Sequence, residues 1–422
     1  MSFPPSPPTE SDIRGILAGV LDPELGASIV DLGMVRDITI GPDADVTVQI
    51  ALTTAACPLR GQIATDVSSK VAGLPGVRSV DVTYAEMTQG ERSAVMQRAR
   101  LEAQRKAPPT EVPATTRVIA VGSGKGGVGK SSVTANLAAA LAARGLTVGV
   151  LDADIWGFSI PRMLGAGGRL EATRTDEGKG KIVPHDIPVG PERSGLGTDD
   201  NAPSSGAGPE RPFGAGKSGK LRVVSMGLLV DDEDTALMWR GLILAKALEQ
   251  FLTDVQWGDL DYLLIDMPPG TGDIQMALSR LLPQAEMLVV TTPAKGAQKV
   301  ASRVADMARR SYLKVLGIVE NMSAFVAPDG TTHEIFGAGG GKRLAALTGA
   351  PLVGSIPIEP MVSDGGDRGR PVVLEHPDTP AARAFSEIAD AIVTSLLPPV
   401  EMAGCTARMF DLVNKLTAAD AT

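Results

Sequence analysis

A glycine-rich segment between residues 118 and 131 constrains the fold of this chain more than any other feature. An apolar run over 118–121 leads into Gly-Ser-Gly-Lys-Gly-Gly-Val-Gly, and an alanine- and leucine-rich helical pattern starts at Lys130 and Ser131. The form G-x-x-x-x-G-K-[ST] between a strand and a helix is typical of a phosphate-binding loop. The sequence therefore predicts a strand, a phosphate-binding loop and a helix in direct succession.

The residue types in this loop match the chemistry of a nucleoside triphosphate. Glycines let consecutive backbone N–H groups face phosphate oxygens, and the start of the following helix adds partial positive charge. Lys130 is placed to meet the β- and γ-phosphates, and the Ser131 hydroxyl is placed to ligate Mg²⁺. The alternative is a glycine-rich turn without a ligand. The residues predicted to bind the nucleotide here are Gly124, Lys125, Gly126, Gly127, Val128, Gly129, Lys130, Ser131 and Ser132.

Two aspartate-containing segments follow predicted strands and are expected to complete this site. Asp152 and Asp154 come directly after the apolar run 148–151, and Asp266 follows the run 262–265. An aspartate at a strand terminus suits Mg²⁺, which prefers oxygen ligands and retains waters. We assign Asp266 and Asp152 to the metal, and Asp154 to orienting or activating the attacking water. For Asp152 and Asp266 the alternative role is capping of the following turns.

Composition limits the classes of partner. The chain has 422 residues, 40 basic against 49 acidic side chains and a formal charge of -9. This charge argues against a general nucleic-acid or anionic-membrane surface, and an aromatic content of 3% argues against base-stacking platforms. Residues 1–8 lack the pattern of a signal peptide, and no apolar run reaches spanning length. We expect a cytoplasmic protein without nucleic-acid or membrane partners.

The pattern of elements predicts two domains. Residues 1–90 fit a small α+β domain with helices over 13–20 and 63–71 and strands over 35–40, 46–52 and 77–84. A charged helix over 91–106 and a proline-rich stretch over 107–113 form a predicted linker, 91–115. From 116 to 398, strands alternate with helices, which predicts an α/β domain with a doubly wound, mostly parallel sheet. Its predicted strands are 118–121, 148–151, 223–226, 262–265, 287–290, 315–319 and 352–356.

Two segments lack the composition of a packed core. Residues 178–220 are rich in Gly, Pro, Ser and charge, which predicts a disordered insertion. Residues 399–422 form a tail in which 409–416 fit a short amphipathic helix. A membrane anchor is conceivable there, but a single basic residue in that stretch favours a docked or frayed tail.

Several motifs beyond the phosphate loop resemble the Mrp family of iron–sulfur cluster carrier ATPases. They are Asp-Ala-Asp-Ile-Trp-Gly-Phe-Ser-Ile-Pro at 152–161, Met-Trp-Arg-Gly at 238–241, Asp-Met-Pro-Pro-Gly-Thr-Gly-Asp at 266–273 and Glu-Asn-Met-Ser at 320–323. The N-terminal segments at 21–33 and 53–59 are similar to the small iron–sulfur assembly domain often fused to bacterial Mrp proteins. The Gly-Lys-Gly-Gly-Val-Gly-Lys-Ser form of the loop resembles the deviant loop shared by MinD, ParA and the nitrogenase iron protein.

This resemblance implies a mechanism and partners. In those families the extra lysine, here Lys125, reaches the nucleotide of a second subunit, which implies a homodimer; the alternative is a solvated surface lysine. An asparagine in the place of Asn321 contacts adenine, so the resemblance implies ATP with Mg²⁺; the alternative is a turn asparagine. The implied partners are apo iron–sulfur proteins and assembly factors. The leading hypothesis is thus an ATP-hydrolysing, homodimeric switch that binds or delivers clusters. The alternatives are a MinD- or ParA-like positioning ATPase and a non-catalytic scaffold.

The chain departs from the family where clusters are bound. Family members carry Cys-x-x-Cys shortly after Asn-Met-Ser, whereas Ala327 and Gly330 occupy the aligned positions here. His333 and Asp329 lie nearby, but a lone histidine in a polar loop is more often solvated than a ligand.

The chain has only two cysteines, Cys57 and Cys405. Cys57 precedes Pro58 and a predicted helix, whose N-terminus would favour the thiolate, so Cys57 is a candidate iron–sulfur ligand. The alternative is a small buried core cysteine. Cys405 lies in the tail and is interpreted as incidental.

Overall fold

The computed structural model describes residues 8–23, 27–52, 60–154, 157–174, 180–190, 218–225, 228, 241–270, 272–311, 313–327 and 329–394. Cys57, Cys405, the tail 399–422 and residues 191–217 of the predicted insertion lie outside these ranges. The chain divides into two compact units. The first holds the residues up to Thr110 with Gln275–Ala285 and Ala308–Lys314, and the second holds Glu111–Ile274, Glu286–Met307 and the residues from Val315 onward.

The N-terminal part of the chain forms a small α+β fold. Its elements are α1 (Glu10–Leu17), β1 (Val35–Ile40), β2 (Asp45–Leu52), α2 (Arg60–Ala72), β3 (Ser79–Glu86) and α3 (Gln89–Lys106). β2 is the central strand, antiparallel to β1 and parallel to β3. Ile13, Leu17, Ile50, Ile63 and Val67 are fully buried in its core. Apolar residues three or four apart in α1 and α2, and two apart in β2, place these side chains on one face of each element.

Helix α3, which the sequence placed in the linker, packs into this small core. Val95 and Ala99 are buried there, four residues apart on one helical face. Thr88 and Glu91 form a capping box at the start of the helix: Thr88 N donates to Glu91 Oε2 at 2.7 Å, and Glu91 N donates to Thr88 Oγ1 at 3.3 Å. Arg36 of β1 forms an ion pair with Glu91. The first half of α3 therefore belongs structurally to the small fold.

The rest of the chain is built around one large sheet. Its strands are β4 (Arg117–Ser123), β5 (Thr147–Asp152), β8 (His185–Val189), β9 (Gly219–Ser225), β10 (Tyr262–Asp266), β11 (Glu286–Thr291), β12 (Lys314–Val326), β13 (Thr332–His333) and β14 (Leu352–Ile358); β6 (Glu171–Arg174) and β7 (Gly180–Val183) form a separate pair. The strand order is β13-β12-β11-β4-β10-β5-β9-β8, with β14 beside β12. Neighbouring strands are parallel from β11 through β4, β10 and β5 to β9. The edge strands β13 and β8 run antiparallel to their neighbours β12 and β9.

Helices lie on both faces of this sheet. The helices that follow β4 along the chain are α4 (Lys130–Ala142), α5 (Ile160–Leu164), α6 (Gly241–Asp254), α7 (Gly272–Leu281), α8 (Lys295–Arg310), α9 (Gly340–Thr348), α10 (Pro360–Asp367), α11 (Val372–Glu375) and α12 (Pro380–Thr394). α4 and α12 share one core with the strands, in which Leu137 and Phe385 are buried. On the other face, Val304 of α8 lies against Gly122 of β4. The predicted fold class, a mostly parallel doubly wound α/β domain after a small α+β domain, is confirmed.

The carboxyl ends of the central strands lie level with one another. Asp266 pairs in register with Val121 of β4 on one side and with Asp152 of β5 on the other. Asp152 in turn pairs with Ser225 of β9. Parallel pairing thus brings the phosphate loop and both aspartate segments to one edge of the sheet, where α/β folds bind nucleotides.

The predicted insertion over 178–220 is wrong at both of its ends. β7 and β8 occupy Gly180–Val183 and His185–Val189, and β9 already begins at Gly219. β8 buries only Ile187 and Val189 against β9. Two alternating apolar residues in an edge strand are too weak a pattern to stand out from the surrounding polar composition. In the part of the chain that the structure describes, every helix is too short or too polar to span a bilayer.

Candidate functional site

The phosphate loop joins β4 to α4 in a conformation that requires glycine. Gly127 and Gly129 have φ angles of 78° and 76°, in the left-handed region. At Gly124 a Cβ atom would lie 2.4 Å from the backbone N of Ala301 in α8. A Cβ at Gly129 would lie 2.3 Å from Asn321 Nδ2. Backbone conformation and neighbouring atoms therefore both explain the glycine pattern predicted for this loop.

A buried polar network connects the start of α4 with the end of β10. Lys130 Nζ lies 2.6 Å from Asp266 Oδ2, and the two side chains are 6% and 0% exposed. Ser131 Oγ donates to the same carboxylate oxygen at 2.6 Å. Thr134 Oγ1 lies 2.7 Å from the other oxygen, Asp266 Oδ1, and 3.0 Å from Lys130 O. Three sequence-predicted residues, Lys130, Ser131 and Asp266, are thus in direct contact.

Asp152 makes the contacts of a capping residue. Its Oδ2 accepts from the backbone N–H groups of Ser159 and Ile160 at 3.1 and 3.2 Å, and its Oδ1 accepts from Asp154 N at 3.1 Å. These donors include the start of α5, so the carboxylate holds that helix against β5. Burial, with the nearby Asp266 carboxylate, raises the pKa of Asp152 to about 8, against the opposing effect of Lys130. The contacts found are those of the capping alternative, and the metal role assigned to Asp152 stays a prediction.

A cavity of about 260 Å³ opens over the phosphate loop. Its lining includes every residue from Lys125 to Ser132, together with Asp154. Lys125 has an exposed side chain, whereas Lys130 is buried beneath the loop. The two lysines predicted to have different roles therefore have different environments. Other lining residues are Ser123, Gly157, Ser159, Met163 and Pro269.

Asn321 contacts the phosphate loop from β12. Its Nδ2 donates to Val128 O at 2.9 Å, and the side chain is 8% exposed. The next residue, Met322, has a φ of 56° and its Cε lies 3.5 Å from the position of a Gly129 Cβ. This arrangement ties the loop to β12. The adenine contact that the resemblance implied for Asn321 stays a prediction.

The donor set fits a magnesium-bound nucleotide. The loop offers glycine N–H groups at an open cavity. A Cβ atom added at Gly126 or Gly127 would have no heavy atom within 4 Å, so the space in front of these residues is open. The Lys130 ammonium lies against Asp266, so this carboxylate already neutralises a cation. Ser131 and Asp266 would hold Mg²⁺, which needs few protein ligands because it keeps waters and phosphate oxygens. Bound in this way, the metal would neutralise charge on the phosphates.

Ala327 and Gly330, where the resemblance implies cysteines, lie in a turn between β12 and β13. Ala327 N donates to Thr331 O, and Gly330 N donates to Ala327 O, each at 2.9 Å. His333 is exposed and stacks on Phe325 with ring centroids 6.3 Å apart. Within the described ranges, no group of three or more His, Cys, Asp or Glu side chains is arranged to hold a metal ion.

Thr134, Ser225 and Met163 are among the side chains at this site that the sequence did not predict. Thr134 and Ser225 contact Asp266 and Asp152, and Met163 lines the cavity. Thr134 left a signal, since it is four residues after Lys130 in the same helix and so shares its face. Ser225 ends β9, but a serine at the end of a strand has no specific meaning by itself.

Comparison with known proteins agrees with this geometry. The model of the NUBPL iron-transfer P-loop NTPase family matches residues 114–393, and that of the iron–sulfur cluster assembly protein family matches residues 10–83. The iron–sulfur cluster carrier protein of Mycobacterium tuberculosis is 42% identical over 389 residues, covering 90% of this chain and 92% of the relative. The carrier protein of Deinococcus radiodurans is 39% identical over 374 residues, covering 88% and 91%.

A solved structure is also similar. The nucleotide-binding protein of Archaeoglobus fulgidus in complex with ADP is 30% identical, with a TM-score of 0.48, and the match covers 68% of this chain and 96% of that one. The family models and the two carrier proteins extend across the phosphate loop, both aspartate segments and the small N-terminal fold. The chain belongs to the iron-transfer P-loop NTPase family and carries, at residues 10–83, a match to the iron–sulfur cluster assembly protein family.

Proposed function

We propose that this protein is an ATP-hydrolysing iron–sulfur cluster carrier. The observation that carries the proposal is the contact of Lys130, Ser131 and Asp266 at the base of an open phosphate-loop cavity. Lys130 would pair with the β- and γ-phosphates, and Ser131 and Asp266 would hold Mg²⁺. Asp154, on the wall of the same cavity, would orient the attacking water. The expected cytoplasmic location stays a prediction.

The proposal includes a homodimer formed around the nucleotide. The exposed Lys125 side chain at the mouth of the cavity supports a role beyond its own subunit's phosphates. In the dimer it would contact the nucleotide of the second copy. Hydrolysis would then change the contact between subunits, because the γ-phosphate that Lys125 neutralises is lost.

The cargo would be handed to apo iron–sulfur proteins, as the names of the relatives indicate for those proteins. Ala327 and Gly330 carry no metal-binding side chain, so the thiolate of Cys57 in the N-terminal domain is the proposed ligand. Four thiolates are the usual ligand set of a [4Fe–4S] cluster, so a single cysteine requires further ligands from another copy or from a small thiol.

Phosphate release from ATP tests the enzymatic part. We expect Mg²⁺-dependent hydrolysis by the wild type and none by Lys130→Ala, because the phosphate charge is then uncompensated in a buried site. Lys125→Ala is the matched control: it should still bind ATP as a single subunit, but lose both hydrolysis and ATP-dependent dimers in sedimentation. Equal turnover by wild type and Lys130→Ala would refute the proposal.

A further inference from the structure

Asp266 has a fixed backbone but a side chain whose orientation depends on its neighbours. Its backbone is held on both sides by pairing with Val121 and Asp152. Rotation about χ2 of an aspartate is broad, so pairing of the backbone does not decide where the two carboxylate oxygens point. The orientation of the carboxylate is set by the hydrogen bonds to each oxygen.

Each oxygen of Asp266 has its own partners. Oδ2 contacts Lys130 Nζ and Ser131 Oγ, both at 2.6 Å. Oδ1 accepts from Thr134 Oγ1 at 2.7 Å. The Thr134 hydroxyl also lies 3.0 Å from Lys130 O, but it has one proton, and the carboxylate is the nearer and stronger acceptor.

Burial makes the Thr134 hydroxyl hard to replace. Thr134 and Asp266 are both 0% exposed, so water has no access to substitute for the lost donor. The neighbouring helix residues Val133 and Ala135 are apolar and buried, so their side chains offer no donor to replace it. Thr134 is therefore the side-chain donor to Oδ1, whereas Lys130 and Ser131, at the start of the same helix, contact Oδ2.

We propose that Thr134 is a positioning residue that orients Asp266 for the metal of the nucleotide. The inference rests on the proposed function, in which Ser131 and Asp266 hold Mg²⁺. With Oδ1 held by Thr134, Oδ2 faces Ser131 and Lys130, where the metal and the phosphates would lie. Removing the hydroxyl frees the carboxylate to rotate, and metal affinity falls while phosphate contacts from the loop remain.

Metal affinity, measured apart from turnover, tests this role. The probe is Mn²⁺ bound to the full-length protein with ADP, followed by electron paramagnetic resonance; ADP affinity in EDTA is measured beside it. Thr134→Val, which keeps the shape and removes the hydroxyl, should weaken Mn²⁺ binding by about tenfold or more. Its ADP affinity in EDTA should stay within about twofold of wild type, because the loop N–H groups are unchanged.

Two further variants separate positioning from folding. Thr134→Ser keeps the hydroxyl and should restore Mn²⁺ affinity to within about threefold of wild type. Thr348→Val is the matched control, since Thr348 is buried in α9 and bonds Leu344 O at 2.8 Å without touching a carboxylate. It should bind Mn²⁺ like the wild type.

The results separate a failure of the positioning role of Thr134 from a failure of the proposed function. If Thr134→Val binds Mn²⁺ like the wild type, or loses ADP affinity equally without metal, the positioning role is refuted and the proposed function stands. If Thr134→Val does not fold, Thr134→Cys takes its place. Because a thiol is a weaker hydrogen-bond donor than a hydroxyl, the Thr134→Cys protein should bind Mn²⁺ less tightly than Thr134→Ser, and equal Mn²⁺ affinities of the two variants overturn the inference. A wild type that binds neither ADP nor Mn²⁺ refutes both.

Discussion

Single residues shape the phosphate loop from outside as well as from within. Gly124 touches the backbone of α8, and Gly129 leaves room for Asn321, which bonds the carbonyl of Val128. The loop is therefore fixed to helix α8 and strand β12 by contacts that have no counterpart in the motif itself. Such contacts pre-organise the N–H groups that would face phosphate.

Gly124→Ala should destabilise the protein. The new Cβ would lie 2.4 Å from backbone atoms of Val300 and Ala301, which cannot move without shifting α8. Overpacking of this kind costs about 1–3 kcal/mol, so the urea midpoint should fall. Gly126→Ala in the same loop is the control, because the new Cβ would have no heavy atom within 4 Å and the φ of Gly126 is not positive. Equal midpoints for the two variants would contradict this view of the loop.

The residues of the loop could be predicted because their chemistry sits in consecutive positions. Every residue from Gly124 to Ser132 was named from spacing, and the structure places Lys130 and Ser131 against Asp266. The contact of Thr134 with Asp266 and that of Asn321 with Val128 could not be predicted from the sequence. Each depends on which side chain of one element meets an atom of another element in the folded chain. Asp152 shows the same limit, because spacing could not separate a metal ligand from a cap of α5.

Among the elements, α3 shows how a helix with a weak apolar pattern gains a fixed place. In the described part of α3, Val95 and Ala99 pack in the small core and Arg98 donates to Leu32 O at 3.0 Å, while the capping box and the Arg36 ion pair fix the start of the helix. The Glu91 carboxylate accepts hydrogen bonds from the backbone N–H of Thr88, from the Thr88 hydroxyl and from Arg36. These contacts, with that of the backbone N–H the largest, lower the pKa of Glu91 to about 2. A carboxylate with a lowered pKa stabilises the fold above its ordinary pKa of 4.5, and this contribution is lost as the pH falls towards 2.

Glu91→Gln should therefore matter at neutral pH and not in acid. We expect faster amide hydrogen exchange in the first turn of α3 at pH 6 than in the wild type, and no difference near pH 2. Glu102→Gln is the matched control, because Glu102 lies in the same helix and pairs with Arg105 one turn away, outside the capping box. A constant difference between Glu91→Gln and wild type at every pH would count against the capping role.

Strongly apolar elements could be predicted, and weakly apolar ones could not. The parallel strands β4, β5, β10 and β11 are buried on both faces and appear as continuous apolar runs in the sequence. β6, β7 and β8 lie in or next to segments of Gly and charge, and β13 has two residues. Edge strands bury one face at most, so their pattern is short and easily lost.

At the scale of the whole molecule, two family assignments meet in one chain. The iron-transfer P-loop NTPase model covers the large sheet, and the iron–sulfur cluster assembly model covers the small fold. Lys130, Ser131 and Asp266 are in contact as expected, and Ala327 and Gly330, where the resemblance implies cysteines, carry no thiol. In the proposed function, ATP is hydrolysed at the large sheet, and the thiol ligand, Cys57, belongs to the small N-terminal domain.

The most direct test of this account is the rate of cluster transfer to an apo iron–sulfur acceptor under anaerobic conditions. The protein is first reconstituted with iron and sulfide, and transfer is followed by the visible absorbance of the acceptor. We predict that MgATP changes the transfer rate of the wild type, that Lys130→Ala transfers at a rate independent of MgATP, and that Cys57→Ala takes up no cluster. A wild type that binds no cluster, or transfers it at the same rate with and without MgATP, would contradict the account.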